Sequence, residues 1–298
     1  MKPSQKSFTL LELLVVITII GILSSIVIVS MSGSTDSAAI AKGKTYAQQV
    51  YAFLGSNAVG VWSFDEETVN TCSITQDACD ISGYNNHGTF VGDTYYVDSD
   101  IEGYALSFDG TGDYVDCGND SSLNFSTKTF TIGVWGKVAS TGGNLALISK
   151  ASYADGWIFY IYSNNLRFGQ HSDYNTLATT ETYNDNTWHY FVVTRESNDD
   201  GVLIVDGVEA KRATDFFAGR NVDSVTKKLT IGAENEGSVK WFNGLIDEVR
   251  VYTTALSPAE IQMHYVQGLE KLLANQAITQ VEYDQRMEEF NQFLASSL

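Results

Sequence analysis

Proline and basic residues are what this sequence has least of. Only Pro3 and Pro258 occur in 298 residues, which excludes a proline-rich linker or a collagen-like repeat. Lysine and arginine number 18 against 36 acidic residues, a formal net charge of −18. Such a surface repels phosphate backbones, so nucleic acid is excluded as an electrostatic partner. Three cysteines are too few for a dense disulfide scaffold. The four histidines, His87, His171, His189 and His264, have no motif-framed serine or cysteine beside them, which argues against a nucleophilic triad. Internal repeats are absent.

Apolar bulk is plentiful: 44% hydrophobic and 12% aromatic residues suffice for a buried core. The 25 glycines, among many Thr, Tyr, Val and Asn, point to strands separated by turns. One apolar stretch, Phe8 to Met31, is 24 residues long and at about 1.5 Å per residue crosses a hydrocarbon layer of about 30 Å. Lys2 and Lys6 flank its short side, so residues 1–7 are expected in the cytoplasm and everything after Met31 across the membrane. A secretory signal has a shorter apolar core followed by a small-residue cleavage site, so this segment is expected to be retained. Glu12 interrupts the stretch. An ionised carboxylate within hydrocarbon costs at least about 2.5–3.5 kcal/mol and needs a partner.

Ser7-Phe8-Thr9-Leu10-Leu11-Glu12-Leu13-Leu14-Val15-Val16-Ile17 resembles the N-terminal methylation and cleavage motif of type IV pilins and type II secretion pseudopilins. The resemblance implies cleavage by prepilin peptidase between Ser7 and Phe8 and methylation of the new Phe8 amine. It also implies that Glu12, then the fifth residue, meets the Phe8 amine of a neighbouring pilin-like subunit. Ser7 stands where the family usually has glycine. The plainer reading is an uncleaved anchor with Glu12 at headgroup level. Beyond the apolar stretch, Ile40, Ala47, Val50 and Leu54 keep near-helical spacing, so a stem helix is expected over 8–54.

Residues 58–256 read as short strands, among them "VGVWSF", "YALSF", "FTIGVWGKV", "WIFYIY", "WHYFVVTR", "GVLIVDG" and "LIDEVRVY". Asn164-Asn165 and Asp206-Gly207 are expected to be hairpin turns. The pattern predicts a mainly β fold, a two-sheet antiparallel sandwich of the jelly-roll kind. "WSFDE", "DISGYNNHGTF", "ALSFDGTGDYVDCG", "NTWHYFVVTR" and "FNGLIDEVRVYTTALSPAEI" are similar to the laminin-G-like, concanavalin A-like lectin and glucanase superfamily. The resemblance implies the same sandwich, on which lectins, adhesion modules and glycosidases all occur.

Glycosidases on this scaffold place two carboxylates on one face of a strand, about 5–5.5 Å apart for retention. Asp247 and Glu248 are adjacent and are expected on opposite faces, so catalysis is not expected. Structural calcium is a candidate cofactor, with Asp80, Asn86, Asp109 and Asp247 as ligands. Asp247 is expected on the inward face of the last strand with Leu245 and Val249. In similar laminin-G-like domains these segments lie together, which is what the resemblance implies. The competing reading is that Asp80, Asn86 and Asp109 merely cap turns. Trp157 and Tyr174 are candidates for stacking on a sugar ring, whereas Trp62, Trp135 and Trp188 stand in apolar strands and read as core.

Cys72 and Cys79 are the first choice for a disulfide across the membrane, leaving Cys117 a buried thiol; pairing of Cys117 with either of them is not excluded by sequence. Residues 257–298 turn helical, with Ser257, Pro258 and Glu260 forming one start signal and Thr279 with Glu282 a second. A short helical hairpin is expected there. The combined reading is a bacterial protein held in the cytoplasmic membrane by one pass, its C-terminal domain outside and on the cell surface after assembly. It would present a non-catalytic laminin-G-like module to a glycan or a surface protein. The alternatives are a structural pseudopilin of a type II secretion or DNA-uptake machine and a tethered glycan hydrolase.

Overall fold

The computed structural model describes residues 57–72, 75–126, 128–139, 143–151, 155–170, 176–234 and 236–296. The chain divides into two units, Met1–Gly55 and Ser56–Leu298, and the described residues lie in the second. The expected stem helix over 8–54, and with it Ser7, Phe8 and Glu12, lies outside the described residues. Among the described residues no helix is long and apolar enough to cross a membrane.

Fifteen strands are described. They begin with β1 (Ala58–Trp62), β2 (Thr89–Val91), β3 (Tyr95–Asp98), β4 (Tyr104–Asp109) and β5 (Tyr114–Asp116). The middle of the domain holds β6 (Phe130–Val138), β7 (Asn144–Ala151), β8 (Gly156–Tyr162), β9 (Asn165–Gly169) and β10 (Leu177–Ala178). Then come β11 (Trp188–Arg195), β12 (Gly201–Val205), β13 (Val208–Ala213), β14 (Thr230–Ile231) and β15 (Asn243–Tyr252), followed by helices α1 (Pro258–Ala274) and α2 (Gln280–Ser296). The first sheet runs β13-β12-β11-β6-β15-β4-β3, with β1 also paired to β15, and the second runs β10-β9-β8-β7-β14-β5-β2. The described pairings are antiparallel, and together the sheets form the expected sandwich.

Strand alternation explains why the central strands are apolar on both faces. On β6, Phe130, Ile132, Val134 and Val138 enter the core between the sheets, while Trp135 joins a second core on the other side. On β11, Phe191 and Val193 face inward and Trp188, Tyr190 and Val192 outward. That outward face is covered by α1 and α2 through Ile261, Tyr265, Leu269, Leu272 and Phe290. Each large apolar side chain so buried contributes about 1.5–3 kcal/mol relative to exposure. The first sheet is therefore a middle layer, with the second sheet below it and the helical hairpin above.

The helices start as the sequence requires. Ser257 and Glu260 form a reciprocal capping box with Pro258 in the first turn of α1, and the Glu282 amide donates to the Thr279 hydroxyl ahead of α2. Asp206 and Gly207 occupy left-handed conformations, φ 53° and 76°, in the two-residue turn between β12 and β13. The other expected hairpin sits one residue earlier: Ser163 and Asn164 carry the positive φ angles, 50° and 73°, and Asn165 already belongs to β9.

Strand β15 corrects two expectations. The register shifts between Asp247 and Arg250, with Glu248 at φ 49°. This bulge breaks the alternation. Leu245 therefore packs with the helix-side core and Val249 with the inter-sheet core. Asp247 accepts from the Ser99 hydroxyl at 2.6 Å, and Glu248 pairs with Arg250 and with Lys271 of α1. Both carboxylates serve the loop and helix side of the sheet rather than opposite faces.

Candidate functional site

The expected calcium ligands come first. Asp80 and Asn86 are brought together: the Asp80 carboxylate accepts from the Val61, Ser82 and Asn86 amides, each at 2.9 Å, and from the Ser82 hydroxyl at 2.8 Å. The Asn86 amide group donates to the Val59 carbonyl and the Ser122 hydroxyl. Asp109 is exposed and accepts from the Thr111 amide within its own turn. Asp247 lies apart again, on Ser99. A carboxylate ringed by N–H and O–H donors is arranged as a turn lock, not as one of six to eight oxygens around a cation. Of the four, Asp80 and Asn86 are in contact, while Asp109 and Asp247 each have partners of their own. Among the described residues, the place where three metal-type ligands come within 4.8 Å of one another is Glu66, Cys72 and Cys79, and the two sulfurs there form a disulfide. Cys117 is a buried free thiol whose pKa is pushed up by that burial.

Trp157 is also corrected. The alternation of β8 sends Trp157, Phe159 and Ile161 into the inter-sheet core, where the indole stacks on Phe125 and Phe168 with ring centroids 5.6 and 6.0 Å away. It has no face to offer a sugar. Tyr174 lies outside the described residues.

The described surface instead opens into a groove of about 370 Å³ where α2 crosses the first sheet. Asp185 and Thr187 from the turn before β11, His189 on β11, and Asp206 of the β12–β13 turn form one wall. Tyr265 of α1 with Glu282, Gln285, Arg286, Glu289 and Phe290 of α2 form the other. Gly207 permits their approach. A Cβ there would stand 3.1–3.2 Å from the Phe290 and Tyr265 rings, besides opposing the positive φ.

Charge organises the first wall. His189 Nδ1 lies 2.7 Å from Asp206, and its Nε2 lies 3.1 Å from the Thr187 hydroxyl and 3.3 Å from Asp185. Asp206 accepts a second bond, from the Tyr190 amide at 2.9 Å. Burial alone would lower the imidazole, but the Asp206 charge and the hydrogen bonds the ring donates to both aspartates outweigh that, and the pKa stands at about 9. Asp185 is correspondingly held well below the usual carboxylate range, chiefly by its bond to His189. On the second wall Arg286 donates to the Trp188 carbonyl at 3.1 Å and to Glu282 at 2.9 Å. The result is a dense set of fixed donors and acceptors lying over the Tyr265 and Phe290 rings, which are themselves buried in the helix-side core.

No sequence motif marks this groove. From sequence alone His189 reads only as a candidate triad member and Asp206 only as a turn residue. A weak signal existed: His189 is the polar residue in "WHYFVV", and the hairpin Asp206-Gly207 begins a strand after it. Tyr183, an aromatic beside a loop, packs edge-on against His189 at 5.4 Å and is buried.

Architecture and sequence motif agree on the class of protein: a lectin-like sandwich behind a pilin-type N-terminus. The chain belongs to the concanavalin A-like lectin/glucanases superfamily, whose family model matches residues 109–262, and the prokaryotic N-terminal methylation motif matches residues 2–28. Comparison with curated proteins finds no match. Among solved structures the binding domain of Paraclostridial Mosquitocidal Protein 1 is similar at 17% identity and TM-score 0.59, covering 72% of this chain and 53% of that one. The receptor binding domain of botulinum neurotoxin C/D mosaic serotype is similar at 15% identity and TM-score 0.57, covering 72% and 52%. The binding domain of botulinum neurotoxin DC in complex with SialylT follows at 14% identity and TM-score 0.56, again over 72% and 52%. The match spans about half the length of those chains, and at such identities it shows the fold alone.

Proposed function

We propose that this protein is a surface-displayed, pilin-like binding protein that recognises glycans without transforming them. One observation carries the reading: a methylation motif at residues 2–28 and a lectin-like domain share one chain. The motif supports insertion in the bacterial cytoplasmic membrane, processing by prepilin peptidase and association with other pilin-like subunits, with the sandwich outside. The names of the similar structures, binding and receptor-binding domains, support recognition as the task of the fold.

The groove suits that task. Its planar polar side chains, Gln285, Arg286 and Glu289, can hydrogen-bond sugar hydroxyls. Its chemistry does not suit catalysis. An imidazolium with a pKa of about 9 is a poor base near neutrality, and Asp185, held low, is a poor acid. Asp247 and Glu248, fully and nearly fully buried, offer a substrate no access.

The test is a glycan array probed with full-length protein in a sugar-free detergent, with calcium and with chelator. Retention of specific saccharides is expected, unchanged by chelation and weakened at least tenfold in Gln285→Ala/Glu289→Ala. Release of reducing sugar would sink the non-catalytic part. An array without any retained glycan would move the reading to a protein partner.

A further inference from the structure

Both α1 and α2 pack on the first sheet, and no described helix lies on the outer face of the second. Across that face one row of residues runs from strand to strand. Ala178 on β10 pairs with Arg167 on β9, Arg167 with Tyr160 on β8, and Tyr160 with Ala146 on β7. The Ala146 amide donates to the Lys240 carbonyl at 2.8 Å, and the Lys240 ammonium, which pairs with Glu234, lies 5.4 Å from the Tyr160 ring. Tyr162, two residues on from Tyr160 and so on the same face, is 40% exposed, and its ring takes the Arg167 guanidinium at 4.7 Å. The charge of the same guanidinium partly offsets the rise that burial gives the Tyr160 pKa.

Arg167 is unusual for this chain. Acidic residues outnumber basic ones 36 to 18, and Lys137, Arg195, Arg212, Arg250 and Arg286 each hold a carboxylate. Among the described residues, no carboxylate lies within ion-pair distance of Arg167, and its Nε is shielded from water without an acceptor. Holding a guanidinium in that state costs free energy. Two tyrosines fix the plane of the group, while Ala146 and Ala178 keep the row on either side low. A planar cation oriented by aromatic rings and lacking an internal counter-charge is the geometry that receives a carboxylate through paired N–H donors.

We propose that Arg167, framed by Tyr160 and Tyr162, is a receptor for a carboxylate-bearing sugar, with the guanidinium on the carboxylate and the exposed Tyr162 ring against the pyranose. This site is separate from the groove, because the two lie on different sheets. No covalent step is involved.

Methyl β-D-glucuronide and methyl β-D-glucoside differ by the carboxylate alone and are the probes. Each is titrated into full-length protein in a sugar-free detergent and followed by saturation-transfer NMR. The glucuronide is expected to bind at least tenfold more tightly. Arg167→Gln should abolish the preference, Arg167→Lys should retain part of it, and Gln285→Ala/Glu289→Ala in the groove should leave it unchanged. Equal affinities for the two sugars, absence of glucuronide binding, or a preference that persists in Arg167→Gln would overturn the assignment. A preference lost in the groove variant but kept in Arg167→Lys would overturn it too. If circular dichroism shows that Arg167→Gln is unfolded, the wild-type ratio and Arg167→Lys decide. A wild-type affinity for glucuronide in that lysine variant would then count against paired N–H recognition.

Discussion

At the scale of single residues, two histidines pull stability in opposite directions. The folded pKa of His189 is raised to about 9 from an ordinary 6.5. Its contacts with Asp185 and Asp206 therefore count in full below pH 6.5, and their contribution is lost as pH rises through about 9. The contribution is on the order of 3 kcal/mol. His264 does the reverse. Burial, then the neighbouring Arg250 charge, holds it down at about 3, so below pH 6.5 the unfolded chain takes up a proton that the folded one refuses. Urea unfolding between pH 3 and 10 should give a maximum close to 6.5. In His189→Gln the alkaline limb should flatten and stability near pH 6 should fall by on the order of 3 kcal/mol. In His264→Gln the acid limb should become shallower. An unchanged alkaline limb in the first variant would refute the imidazolium assignment.

At the scale of elements, α1 shows packing overruling propensity. Gly268 lies mid-helix, where alanine is intrinsically better by about 1 kcal/mol. Yet a Cβ there would come within 2.2 Å of the Trp135 indole, whose side chain is itself buried. Gly268→Ala is predicted to lower stability by about 1–3 kcal/mol, read as a fall in urea midpoint at constant m-value. A gain would mean that the helix sits further from the sheet. The same scale explains what could be read in advance. Strand identity, the Asp206-Gly207 turn and the Ser257 capping box follow from local chemistry, and each was legible. Trp135 reads as core and Trp157 as a ring for a sugar, yet both are buried, because strand pairings made far along the chain decide which face each joins. The β15 bulge was invisible because adjacent Asp247 and Glu248 give no local cue, and it overturned the alternation used to place them. The groove was illegible for a similar reason: His189 and Arg286 lie almost a hundred positions apart.

At the scale of the whole molecule, the N-terminal motif sets the predictions. Mass spectrometry of native protein should find a chain starting at Phe8 and carrying one added methyl group, rather than one starting at Met1. Glu12→Ala should insert normally and assemble poorly, because the carboxylate is costly in hydrocarbon and needs the amine of a neighbour. Wild-type filament incorporation of that variant would refute the pairing. The helical hairpin has a more practical consequence. The family match stops at residue 262, inside α1, whereas the layer that shelters Trp135, Trp188, Tyr190 and Ile204 extends through α2. A recombinant fragment trimmed to the matched region would strip that roof, wet an oily plate of aromatic rings, and clump in the tube before any ligand could be tried.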